Sequence, residues 1–330
     1  MKRFVMALLV GVACCGSAMA QDAAGAGAAK KKIVFVAGRI SHGPGQHEHN
    51  AGCRLLAKAL NESGLPVEAV VFENGWPKDP RAFDGAAAVI MYSDGGNGHM
   101  VLPNLKQVDA LNDKGVGIGA IHYAVEPGDG KKQPDGRAEF LKWIGGYFET
   151  FYSVNPHWRA RFEALPAHPV ASGVRPFWTQ DEWYYHMRFR PDMAGVTPIL
   201  TAVPPDATRR GKDAPHGGNE HVRAGLGKNV PEHVAWVSEN PNGSRGFGCT
   251  GGHNHINWWK DDFRKTILNA IVWTAKVDVP ADGVRSERPS AEAYLAQDKK
   301  PRPVEYDLDD IRKQIEEMNQ PMGATKAEGK

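Results

Sequence analysis

Lys32-Ile33-Val34-Phe35-Val36-Ala37-Gly38, followed closely by Ser41-His42-Gly43-Pro44-Gly45-Gln46-His47-Glu48-His49, is the stretch that decides the fold. An apolar run of this length, stopped by glycine, reads as a strand covered on both faces, the kind that builds a parallel sheet. The pattern recurs. Residues 86–92 run into Asp94-Gly95-Gly96-Asn97-Gly98-His99, residues 116–121 end on His122, and residues 245–250 run into Gly251-Gly252-His253-Asn254-His255. In an open parallel sheet, ligands bind outside the carboxyl ends of the strands. Four strand ends carrying imidazoles therefore predict one polar site, and imidazole serves as both metal ligand and general base near neutral pH.

Working outward, helical patterns fill the gaps. Leu55, Leu56, Ala59 and Leu60 mark a helix over 46–61, and Leu102, Leu105, Val108 and Leu111 mark another. A further strand falls at 67–72, and the core closes with a helix over 261–276, its first turn carrying Asp261 and Asp262. The fold class is α/β, a mainly parallel sheet with helices on both faces. Residues 155–237 break the pattern with short strands, many prolines and many aromatics, and read as an aromatic-rich insertion. After Pro280 the composition turns polar. One amphipathic helix is expected over 307–319, the remainder of 280–330 being a loosely held extension.

The first twenty residues read as a cleaved signal peptide: Lys2 and Arg3, an apolar run too short to span a bilayer, then Ala18-Met19-Ala20. A lipoprotein anchor at Cys14 or Cys15 is the less favoured alternative, because the preceding residues match a lipobox poorly. The expected location is periplasmic or secreted, with an Ala/Gly/Lys linker over 21–31. Loss of Lys2 and Arg3 lowers the 40 Lys+Arg to 38, equal to the 38 Asp+Glu. A neutral chain of this kind is not built to hold nucleic acid or an anionic membrane, and no later stretch is apolar enough to span one. The expected partner is a small neutral molecule. Cys53 and Cys249 form no disulfide framework and read as buried thiols, a single bridge between them remaining open.

Five groups carry candidate chemistry. Of His42, His47 and His49, at least one is expected in the site, with His42 as a catalytic group and His49 as a substrate contact. His122 sits where a nucleophile elbow places its residue, and histidine there suits metal binding or proton transfer. His253 and His255, two apart, would share a side on an extended segment, with Trp258 and Trp259 available to stack on a ring. Asp181-Glu182-Trp183-Tyr184-Tyr185-His186 sets carboxylates among aromatics. Such walls raise a carboxyl pKa, which suits Glu182 to acid/base work, with Tyr184 as a substrate contact. Asp94, Gly95 and Gly96 are expected to meet a substrate oxygen. The expected cofactor is a divalent metal, Zn²⁺ or Mn²⁺, with His122 and His253 as first ligands and His157 and His186 behind them. His168, His216, His221 and His233 read as surface residues.

Together, Ser41-His42-Gly43, His47-Glu48-His49, Tyr92-Ser93-Asp94-Gly95-Gly96, Gly119-Ala120-Ile121-His122-Tyr123-Ala124, Gly145-Gly146-Tyr147-Phe148, His168-Pro169, Asp181-Glu182-Trp183-Tyr184 and Gly251-Gly252-His253 resemble the ThuA-like, trehalose-utilisation family. The resemblance runs over residues 32–279, and the long middle segment is similar to secreted members of planctomycete type. It implies a class I glutamine amidotransferase-like, flavodoxin-like fold. It also implies that His122, standing where that fold carries a nucleophilic cysteine, neighbours His253 in space, so amidotransferase activity is not expected. The family's association with disaccharide catabolism implies a carbohydrate substrate. A 3-keto-glycoside or related oxidised sugar would be cleaved with acid/base assistance, as a lyase or hydrolase. The alternative is a sugar-binding protein without catalysis.

Overall fold

The computed structural model describes residues 1, 29–131, 134–296 and 307–322. The signal peptide and nearly all of the linker expected at the start lie outside the described residues. Seven strands form the central sheet in the order β2 (Val67–Phe72), β1 (Lys31–Ala37), β3 (Ala86–Tyr92), β4 (Gly117–Ile121), β11 (Arg245–Cys249), β10 (Glu232–Glu239) and β9 (Val196–Ala202). The first five run parallel, while β10 is antiparallel to both its neighbours. Two short ladders complete the chain: β5 (Gly146–Tyr147) with β8 (Arg188–Phe189), and the hairpin β6 (His157–Phe162) with β7 (Phe177–Glu182).

The continuous apolar runs divide by side-chain alternation. Ile33, Phe35, Ala88, Ile90 and Tyr92 enter one core, beneath α1 (His49–Asn61) and α6 (Asp261–Thr274). Val34, Val36, Val89 and Met91 enter the other, beneath α2 (Leu105–Asp113) and α3 (Arg137–Ile144). A sheet covered on both faces needs such runs. Two glycines let bulky rings lie across the sheet centre. A Cβ on Gly119 would stand 2.2 Å from the Phe247 ring, and one on Gly248 would stand 2.2 Å from Trp236.

Two expectations need correction. The first helix begins at His49 rather than 46, because Gln46 and His47 are taken up in a backbone bridge to residues 253–254. The C-terminal extension is also more firmly held than its polarity suggests. Past the short helices α4 (Asp206–Arg209) and α5 (Glu220–Arg223), it supplies α7 (Ala291–Ala296) and the expected amphipathic helix, α8 (Leu308–Met318). Ile311, Ile315, Met318 and Tyr294 join the first core. Lys260 Nζ donates to the Met318 carbonyl at 2.5 Å, and Asn319 Nδ2 donates to the Trp259 carbonyl at 2.9 Å. Helix α6 is buried nearly all round. Cys53 and Cys249 are free, buried thiols, and burial pushes both their pKa values up. Among the described residues no helix is long and apolar enough to cross a membrane.

Candidate active site

Strands β1, β3, β4 and β11 run in one direction, so their carboxyl ends share one edge of the sheet. Each delivers a polar side chain there. His42 and His47 follow β1, Asp94 follows β3, His122 follows β4 and His253 follows β11. His122 takes φ 57°, a left-handed turn that is rare off glycine and tends to persist where surrounding structure enforces it. The loop bearing His47 is stitched to the exit of β11. His47 N donates to the His253 carbonyl at 3.0 Å, and His255 N donates to the Gly45 carbonyl at 2.8 Å.

The fourth member comes from the hairpin. His47 Nε2, His122 Nε2, His253 Nδ1 and Glu182 Oε2 lie so that ligand atoms of the four residues are all within 4.8 Å of one another. Four of the separations are 3.1 Å (His47–His122), 2.9 Å (His47–His253), 3.5 Å (His122–Glu182) and 3.0 Å (His253–Glu182). Ligands at 2.0–2.1 Å around a tetrahedral Zn²⁺ stand about 3.3–3.4 Å apart, so the spacing fits such an ion.

The orientation of the rings fits as well. His122 Nδ1 lies 2.8 Å from the Thr250 carbonyl, which only accepts, so Nδ1 carries the hydrogen and Nε2 presents its lone pair inward. His47 Nδ1 donates to Asp94 Oδ1 at 2.7 Å, with the same consequence for its Nε2. Burial drives the His47 pKa down to about 3, against the raising hydrogen bond from Asp94, so this imidazole is neutral at pH 7. Asp94 is partly buried, which raises its pKa, but the His47 and Ser41 hydrogen bonds outweigh this and leave it at about 2. Two inward lone pairs 3.1 Å apart repel each other unless a cation or a donor stands between them. Carboxylate–imidazole pairs of this kind fix the tautomer of metal-binding histidines.

Asp181 holds the fourth side of the site in place. Its buried carboxylate accepts from Gly252 N at 2.7 Å, Asn254 N at 3.1 Å and Glu182 N at 2.9 Å, and so locks the backbone around both His253 and Glu182. The aromatic wall around Glu182 does not act as the sequence suggests. Burial does raise its pKa, but the proximity of the His122 and His253 imidazoles overrules that effect, and the net shift is downward. Glu182 is an ionised carboxylate, with Oε1 accepting from Asn155 Nδ2 at 3.0 Å.

The remaining expected residues separate into mouth, backing and bystanders. His42 is exposed and stacks on His47 with ring centroids 3.6 Å apart; partial burial lowers its pKa, so it too is neutral at pH 7. His157, opposite Glu182 in the hairpin, is exposed and stands edge-on to His253 at 4.9 Å. These two rim the cluster. Tyr184 is buried behind it, its hydroxyl 3.3 Å from His122 Nε2. His49 is fully buried against Tyr92 and donates Nδ1 to the Arg39 carbonyl, so it backs Asp94 rather than touching a substrate. Gly95 and Gly96 are packing positions. A Cβ on Gly95 would stand 2.1 Å from the Tyr123 carbonyl oxygen, and the Gly96 amide is spent on the Glu126 carbonyl.

Three expectations fail outright. His186 lies elsewhere, against Tyr152 and 3.5 Å from Glu232, because the chain turns at φ 60° after the hairpin. His255 does not share a side with His253, since a 3₁₀ turn starts there and seats its ring between Trp259 and Tyr294. Trp258 and Trp259 are fully buried core residues, so neither ring has a face open to a ligand. Two residues were undervalued. His47, the one loop histidine to which the sequence reading gives no role of its own, is central to the cluster. His216, read as surface, pairs with buried Glu126 at 2.8 Å, which raises its pKa. A separate cavity of about 780 Å³ between α1 and residues 285–293 has no such convergence. Its Arg54, Lys58 and Arg288 are each paired with a carboxylate.

Among solved structures the chain is similar to a putative ThuA-like protein from Bacteroides uniformis, at 15% identity and TM-score 0.51, covering 78% of this chain and 96% of that one. It is similar to another from Parabacteroides merdae, at 15% identity and TM-score 0.51, covering 80% and 99%. At these identities the likeness concerns the fold alone. No curated protein sequence matches it. The sequence profile of the trehalose-utilisation family, ThuA, matches residues 33–274, and the chain belongs to that family.

Proposed function

We propose that this protein is a metal-dependent carbohydrate-active enzyme that cleaves an oxidised glycoside, a 3-keto-glycoside or a close relative. The family places it in sugar metabolism. The observation that carries the finer reading is the inward-facing set His47, His122, His253 and Glu182, with neighbouring separations of 2.9–3.5 Å. Imidazole with carboxylate suits Zn²⁺ or Mn²⁺. A divalent ion held there supplies electrophilic stabilisation of charge developing on a ketone oxygen.

The chain's own residues supply the rest. His42 is exposed at the mouth and neutral, which suits a general base working near pH 7. In the proposed reaction it takes the proton from the carbon between the ketone and the anomeric centre. The electron pair left behind forms a C=C bond as the glycosidic C–O bond breaks, and the imidazolium returns its proton to the departing oxygen. Glu182 keeps its negative charge and serves as the carboxylate of the metal set, while His157 faces substrate across the rim. Asp94, Thr250 and Asp181 are positioning groups: Asp94 holds His47, the Thr250 carbonyl holds His122, and Asp181 holds the backbone around His253 and Glu182.

The test is a cleavage assay on a 3-keto-glycoside with the chelated, reloaded and His42→Ala proteins. Turnover that is lost on chelation, regained with Zn²⁺ or Mn²⁺, and about a hundredfold lower in His42→Ala supports the reading. Cleavage indifferent to chelation, or no cleavage by the reloaded protein, refutes it. The proposal includes secretion to the periplasm or beyond by the N-terminal segment, which is tested by sequencing the N-terminus of protein recovered from an expressing cell.

A further inference from the structure

The β6–β7 hairpin carries a row of cross-strand pairs on its outer face: His157 opposite Glu182, Arg159 opposite Gln180, and Arg161 opposite Trp178. The intervening Trp158, Ala160, Phe162, Phe177, Thr179 and Asp181 are buried, as strand alternation requires. The first pair belongs to the histidine cluster. At 3.3 Å per residue, Trp178 lies about 13 Å along the strand from Glu182.

Beside this row is a cavity of about 480 Å³, bounded by the hairpin, residues 44–46 of the histidine loop, Asn254 and helix α8. That volume falls in the range of small-ligand pockets, roughly 300–1,000 Å³. Its lining is rich in amides, from Gln46, Gln180, Asn254 and Gln314, and each primary amide offers both donors and acceptors. Trp178 adds a half-exposed aromatic ring, with the Arg159 guanidinium 4.4 Å from its centroid. Arg159 and Glu317 bring one charge of each sign, so the lining does not select an anion or a cation. Paired hydroxyl-binding groups beside one ring suit a neutral polyol with an apolar face.

We infer that this cavity is a subsite for a second sugar ring, so that the substrate is a disaccharide or longer glycoside with one end at the histidines. The inference rests on reading the histidine cluster as a carbohydrate site. Gln46 and Asn254 are adjacent in sequence to His47 and His253, and the bridge between them joins the two sites. Helix α8 lies beyond residues 33–274, so one wall of the subsite comes from outside the family match. Selection for glycoside length is thus a property of this chain's own extension.

The experiment is calorimetric titration of the full chain with glucose, trehalose and maltotriose, in the wild type, Trp178→Ala and Gln314→Ala. The wild type is expected to bind at least one of the two longer sugars at least tenfold more tightly than glucose. Each variant should lose most of that advantage while its glucose affinity and melting temperature stay the same. Equal affinity for all three sugars in the wild type overturns the subsite, as does an undiminished advantage in both variants. The two substitutions sit on opposite walls, so failure of one variant to fold leaves the other decisive. Trp178-dependent binding of the longer sugars without keto-glycoside cleavage keeps the subsite and removes the proposed reaction. Keto-glycoside cleavage with kcat/KM independent of sugar length does the reverse.

Discussion

The parallel edge of the sheet and the β6–β7 hairpin build opposite halves of the same site by different means. At the parallel edge, topology does the work. Any residue just past β1, β4 or β11 is carried to the same place, and there the chain has His47, His122 and His253. The hairpin contributes Glu182 through side-chain ties to the segment after β11: Asp181 accepts from the Gly252 and Asn254 amides, Thr179 donates to Asn257, and Asn257 donates to the Gln180 carbonyl. One half is fixed by the direction of strands, the other by side-chain hydrogen bonds, those of buried Asp181 foremost. The first half should therefore resist perturbation of its surroundings, and the second should not.

The largest effect should come from the parallel edge itself. Replacing His122 or His253 by Ala removes a proposed ligand, and the electrophilic help it supports is worth several kcal/mol. Turnover of a keto-glycoside should fall about a thousandfold or more, while the melting temperature of the chelated proteins stays close to wild type. A variant that retains a tenth of the activity would break the comparison at its stronger side. On the hairpin side, Glu182→Gln keeps shape and removes charge. We expect about a hundredfold loss of turnover and weaker metal retention on dialysis, and unchanged turnover would remove the carboxylate from the reaction.

Next come the groups that hold the ligands. Asp94→Asn and Asp181→Asn should each weaken Zn²⁺ affinity by about 10–100-fold, the usual range for partners behind the ligands. The two halves can be told apart in the second variant. Asp181→Asn should also increase amide exchange at Gly252 and Asn254, whereas Asp94→Asn should leave those amides protected. Equal exchange in both would show that the hairpin does not depend on Asp181.

The smallest effect is a slope with pH. Burial holds His47 at about 3, His49 at about 4 and His99 at about 4, while an unfolded histidine titrates near 6.5. From pH 6.5 down to about 4 the unfolded chain binds more protons than the folded one, so stability falls as pH falls. Each group contributes at most about 1.4 kcal/mol per pH unit in that window. Denaturant titration of chelated protein at pH 7 and pH 5 reads this directly, and equal stability at the two values would mean that the histidines are not buried neutral.

The same contrast explains what was legible in the sequence. The alternation of apolar runs and helical stripes reports the parallel sheet, and the sheet direction then places His122 and His253 together. Among the loop histidines the reading stops short. His42, His47 and His49 differ in role only through φ angles of 65° and 46° at His42 and His47 and the bridge from Gln46 to Asn254, which no spacing reveals. At the hairpin, Glu182 was found for the wrong physical reason. Aromatic neighbours suggested a raised pKa, but two imidazoles that are distant in sequence lower it. His186 and Trp258 misled for a related reason. Both sit close in sequence to site residues, and a backbone turn or a core contact takes each away.

Elemental analysis of protein purified without a histidine tag or chelator tests the central claim most directly. The arrangement of His47, His122, His253 and Glu182 predicts about one equivalent of a divalent transition metal per chain, lost in a His47→Ala/His253→Ala double variant of unchanged fold. Less than about 0.2 equivalents, with no uptake when Zn²⁺ or Mn²⁺ is supplied to the folded protein, would contradict it.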